Sequence, residues 1–85
     1  NIHTIDRRNA MKLKEMRMEK SMTQEQLSKK SGISVRTVQA YECGLRRIDG
    51  ATLETLCRLS IALDCRIRDI IEGESVIQLF DVVKK

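Results

Sequence analysis

Apolar residues recur at helical spacing along most of the chain. Ala10, Leu13 and Met16 form a first stripe at i, i+3, i+6 behind Asp6, a competent N-cap, and predict a helix over 6–20. Thr23 with Gln26 reads as a capping box, with Met22 and Leu27 as its hydrophobic staple, and Gly32 closes that helix at 24–31. Ser34 caps the next, over 35–43, with Ile33 and Val38 as staple and Gly44 as its stop. Two short capped helices joined by three residues that include a glycine are the signature of a helix-turn-helix. Asp49 is expected to cap a fourth helix over 50–63, stapled by Ile48 and Leu53, with Leu53, Leu56, Leu59, Ser60 and Leu63 as its core face. Ile67, Ile70 and Ile71 predict a fifth, short helix over 66–72, ended by Gly73. The chain thus divides into an arm at 1–5, a helical domain at 6–73 and a tail at 74–85.

In the tail Val76, Leu79, Phe80 and Val83 share a helical face, while the Val, Ile and Phe content favours a strand. It reads as a sixth helix or a dimerisation strand, and it is too apolar to stand free. Met11 would be a natural start, so residues 1–10 read as either native or added. Eighty-five residues without proline suit one all-α domain.

Charge changes the picture more than composition does. The net charge is +4, but 11 basic and 5 acidic residues fall in 1–47, against 5 and 7 in 48–85. The helix-turn-helix half is the basic half, as contact with nucleic acid requires. Cys43, Cys57 and Cys65 lack metal-ligand spacing and His3 is the only histidine, so neither a metal site nor a disulfide framework is expected. No run approaches the ~20 apolar residues of a membrane span, and no export signal is visible, which makes the cytoplasm the default. No phosphate-binding glycine loop or nucleophile–base constellation suggests an enzyme, and no cofactor is implied.

Within the helix at 35–43, Val38 and Tyr41 share one side and with Leu27 and Ile33 would form an apolar seam. Val35, Arg36, Gln39, Ala40 and Cys43 lie away from it. Arg36 and Gln39 are residue types that pair bidentately with guanine and adenine edges in a major groove.

With Gln24, Leu27, Gly32, Ile33, Val38 and the Tyr41–Glu42 pair in these positions, residues 13–71 resemble the helix-turn-helix of lambda-repressor and Cro-type (Xre-like) regulators. The resemblance implies a compact five-helix domain and a transcription regulator of double-stranded DNA. It implies that Val35, Arg36, Gln39 and Ala40 face base edges. Thr23 and Gln24, at the positive end of a helix, would face phosphates. The loop Leu45–Ile48 would run along the DNA backbone, placing Arg46 and Arg47 at phosphates. Arg17 and Glu42 would form a structural ion pair. Ser28 departs from the family's usual alanine where the two helices cross, and its hydroxyl needs a partner. A homodimer through the C-terminal part is also expected, since one small module contacts few base pairs. The alternative is a protein-interaction or antitoxin-like module that keeps the fold without reading a groove.

Overall fold

The computed structural model describes residues 12–73. The arm at 1–5, the Asp6 cap, Ala10 and the tail with Val76, Leu79, Phe80 and Val83 lie outside the described residues. Among the described residues the fold is all-helical, with four α-helices and two 3-10 turns. Helix α1 is described over 12–19, followed by α2 at Gln24–Ser31, α3 at Val35–Glu42 and α4 at Leu53–Leu63. The 3-10 turns are Ile48–Gly50 and Ile67–Asp69.

Local chemistry sets the ends of α2 and α3. Thr23 Oγ1 accepts the Gln26 amide at 3.0 Å, and Gln26 Oε1 accepts the Thr23 amide at 2.8 Å. Two amides that α2 could not satisfy internally are thus served. Gly32 ends α2 at φ 77°, a left-handed conformation, and its amide donates to the Ser28 carbonyl. A Cβ at this position would also lie 3.0 Å from Arg58 Nη1. Ser34 then caps α3 by accepting the Thr37 amide at 3.2 Å. The three-residue connection 32–34 therefore sets the angle between α2 and α3.

The core is one cluster. Leu13 of α1, Leu27 of α2, Val38 and Tyr41 of α3, and Leu56, Leu59, Ala62 and Leu63 of α4 pack with Ile48, Ile70 and Ile71. Met16, Met22, Ile33 and Ile67 pack against its edge. Burial of this cluster from every element makes α3 one wall of a packed body rather than a free helix.

Three expectations are corrected here. Asp49 does not cap α4. Thr52 does, accepting the Thr55 amide at 3.2 Å, and the helix begins at Leu53. Asp49 sits in the first 3-10 turn, and its carboxylate accepts the amides of Glu72 and Gly73 at 2.7 and 2.6 Å. Leu53 is 62% exposed and belongs neither to a staple nor to the core. The fifth helix is only the 3-10 turn Ile67–Asp69. Asp69 Oδ2 takes the Arg66 amide at 2.9 Å, and Ile70 follows as the C-cap, its amide donating to the Ile67 carbonyl.

Lys12, at the described start of α1, ties that helix to the segment after the second 3-10 turn. Its ammonium donates to the Ile71 carbonyl at 2.8 Å and its backbone amide to Glu72 Oε2 at 2.8 Å. Together with Asp49 it fixes the segment 70–73 against the start of α1.

Candidate nucleic-acid interface

Helix α3 is sorted by its own sequence. Val38 and Tyr41 are buried, while Arg36, Gln39 and Cys43 are exposed and Val35 is half-buried. Ala40 does not join the exposed set. It is 8% exposed, and its carbonyl accepts the Arg46 amide at 3.1 Å. Its side chain therefore offers little surface to a ligand.

A connected chain of polar groups stands behind the exposed side. Arg17 Nε and Nη2 donate to Glu42 Oε2 and Oε1 at 2.6 and 3.0 Å. The two side chains are 11% and 4% exposed, so this is a desolvated, bidentate ion pair. Arg17 Nη1 also donates to the Met22 carbonyl at 2.7 Å, binding the α1–α2 link to α3. Glu42 Oε1 accepts a third bond, from Gln24 Nε2 at 3.0 Å. Gln24 Oε1 in turn accepts Gln39 Nε2 at 3.2 Å. Fixed charge inside the domain is thereby coupled, through Gln24, to an amide at the surface.

The rim is basic. Arg36, Arg46 and Arg47 are exposed. Arg46 lies over the Tyr41 ring at 5.4 Å, a cation–π contact that orients the loop after α3. Arg47 has only a 3.9 Å contact with Asp49 and remains 70% exposed. Thr23 is committed to its cap yet exposed at the N-terminus of α2. Ser28 is half-buried, and among the described residues no buried side-chain nitrogen or oxygen lacks a partner.

One residue was missed by sequence reasoning. Lys14 lines an open groove with Gln24, Gln39, Glu42 and Cys43. The available signal was its position three residues before Arg17, on the same side of α1. Among the described residues no group of three His, Cys, Asp or Glu side chains could hold a metal ion, and no helix is long and apolar enough to cross a membrane.

This architecture and this polar chain define a class. The chain belongs to the helix-turn-helix family of the lambda-repressor and Cro type, a family of DNA-binding transcription regulators, whose profile matches residues 13–70. Among solved structures it is similar to the restriction-modification controller protein C.AhdI from Aeromonas hydrophila, with a TM-score of 0.68 and 28% identity over 80% of this chain and 98% of that one. Comparison with curated proteins gives no match.

Proposed function

We propose that this protein is a sequence-specific regulator that reads double-stranded DNA through the major groove with α3. The observation that carries the reading is the two-sided character of that helix. Val38 and Tyr41 lock it into the core, while Arg36 and Gln39 project from the other side, with Gln39 held by Gln24. Arg36 suits guanine and Gln39 suits adenine, with Val35 available for a thymine methyl. Thr23, Gln24, Arg46 and Arg47 take the phosphates on either side and set the register, and Lys14 joins them. Arg17 and Glu42 act inside the domain as support. Neither catalysis nor a cofactor enters the mechanism, and the protein works in the cytoplasm. The likeness to a restriction-modification controller supports the regulatory part of the reading.

The regulator acts as a homodimer. Two recognition helices then sit ~34 Å apart, one turn of DNA, on a near-palindromic site. Selecting bound sequences from a random duplex pool tests both claims. Arg36→Ala and Gln39→Ala should each weaken binding to the selected site by ~1–3 kcal/mol and relax preference at one position. If neither variant alters sequence preference, α3 does not read bases. Binding to random duplex should also fall steeply with salt. A chain with no such slope would be an interaction module that keeps this fold.

A further inference from the structure

Among the described residues four large apolar side chains stand out into solvent: Met18, Leu45, Leu53 and Ile61. Leu45 is the most exposed of them, at 81%. It is also the one followed directly by two exposed arginines, Arg46 and Arg47.

The loop that carries Leu45 is pinned on both sides. Helix α3 ends at Glu42 and Ile48 is buried in the core, which leaves only 43–47 for the return. Gly44 turns the chain at φ 82°, its amide donating to the Tyr41 carbonyl at 3.4 Å. Two residues on, the Arg46 amide donates to the Ala40 carbonyl at 3.1 Å, and the Arg46 guanidinium lies over the Tyr41 ring. Further along, the Gly50 amide donates to the Arg47 carbonyl at 3.1 Å. The backbone before and after Leu45 is thus fixed, and its side chain projects from a formed turn. A single exposed leucine is ordinary in itself. This one stands in the loop that carries Arg46 and Arg47 to phosphates in the reading above.

We infer that Leu45 packs against a deoxyribose beside the phosphates taken by Arg46 and Arg47, and that this contact distinguishes DNA from RNA at that nucleotide. The inference rests on the DNA reading proposed above and adds a sugar contact to it. A DNA strand alternates anionic phosphates, which suit the arginine forks, with sugars whose C2′ carries only hydrogens. An aliphatic side chain beside two guanidinium groups matches that alternation. In RNA the same carbon carries a hydroxyl, both donor and acceptor. Leu45 offers that hydroxyl no partner, and covering it removes its water, so ribose is disfavoured at that one position. The contact is neutral and releases no counterions, which gives it a different signature from the arginines.

The test uses the full chain and the duplex selected from the random pool, with a single ribonucleotide placed at each position in turn. The unaltered chain should lose at least about threefold in affinity at one nucleotide of each half-site, and Leu45→Ala should show no loss there. On the all-DNA duplex Leu45→Ala should bind about five- to tenfold more weakly, and Leu45→Met about as tightly as the unaltered chain. The slope of log K against log salt should be unchanged in Leu45→Ala, and shallower by about one in Arg46→Ala and in Arg47→Ala. Because Leu45 is exposed, its variants should unfold at the same urea concentration as the unaltered chain.

Leu45→Ala binding as tightly as the unaltered chain overturns the contact. So does a ribonucleotide profile that is the same in both chains. A changed salt slope overturns it as well, since Leu45 would then act through the arginines. Each of these leaves the DNA reading standing so long as Arg36→Ala and Gln39→Ala still shift sequence preference. If no duplex sequence is selected and binding to DNA shows no salt slope, that reading falls and the sugar contact with it.

Discussion

Gln39 Nε2 donates to Gln24 Oε1 at 3.2 Å, and Gln24 Nε2 donates to the buried Glu42 carboxylate at 3.0 Å. The amide at position 24 is thereby fixed in one orientation, its nitrogen toward Glu42 and its oxygen toward Gln39. A free Gln39 could swing through several rotamers, whereas a held one presents one donor–acceptor pattern to a base. Gln24→Ala should therefore weaken DNA binding in a way that depends on Gln39. In a double-mutant cycle on the selected duplex, the two changes should couple by about 1 kcal/mol. Strict additivity would mean that the two glutamines act separately.

The Arg17–Glu42 pair is deeply desolvated, so its parts are worth less than its integrity. Removing one partner strands a buried charge, at ~3–5 kcal/mol, while replacing both by apolar residues avoids that cost. Arg17→Met and Glu42→Leu should each lower stability in urea unfolding by ~3–5 kcal/mol, and the double variant should lose far less than the sum of the two. The double variant should lie close to, or above, the better single one.

Asp64 ends α4 in the left-handed conformation at φ 52°, ψ 53°, its amide donating to the carbonyls of Ser60 and Ile61. An L-residue holds that conformation at a cost of about 1–2 kcal/mol, and glycine's greater freedom when unfolded offsets part of any gain. Asp64→Gly should stabilise the chain by about 0.5 kcal/mol, raising Tm by about 2–4 °C. A fall in Tm would show that the Asp64 side chain contributes more than its backbone costs.

Burial pushes the Glu72 carboxyl above its ordinary range. The Lys12 amide and ammonium pull it back, and the charges of Asp49 and Glu15 push it further up. A raised folded-state value means that the folded chain holds the proton more tightly than the unfolded chain does. The stability this contributes is complete below the unfolded glutamate value and is lost as pH rises through the raised one. Glu72→Gln stays neutral and keeps an acceptor for the Lys12 amide. Its stability relative to the unaltered chain should therefore increase as pH rises from about 4.5 upward across that window. A difference that is flat with pH would remove the assignment.

Much of the α2–α3 unit was legible because its determinants are local. Thr23, Gln26, Gly32 and Ser34 act on amides and carbonyls within four residues, a range over which sequence spacing specifies geometry. The misreadings are non-local. Asp49 precedes an apolar run and so looks like a cap, yet its partners are the amides at 72 and 73. Lys12 looks solvated because carbonyls some 60 residues away leave no trace in its neighbourhood. Leu53 fits the helical period of the core, but α4 has two apolar faces and periodicity alone does not say which one is inside. Ala40 lies off the apolar seam and is buried nonetheless, in a place where Arg46 returns to bond its carbonyl.

The ties from Lys12 and Asp49 to residues 71–73 have a kinetic side. The Lys12 ties close about 60 residues of chain and the Asp49 ties 23 and 24, so each forms only after the chain between has folded back, and neither lies in the α2–α3 unit. The start of α1 and the segment 70–73 should consequently open as one unit, with the amides of Lys12, Glu72 and Gly73 sharing a single hydrogen-exchange rate. The capped helices α2 and α3 would keep their slower exchange through such openings. A domain arranged this way can fray where the start of α1 meets residues 70–73 without disturbing the α2–α3 unit.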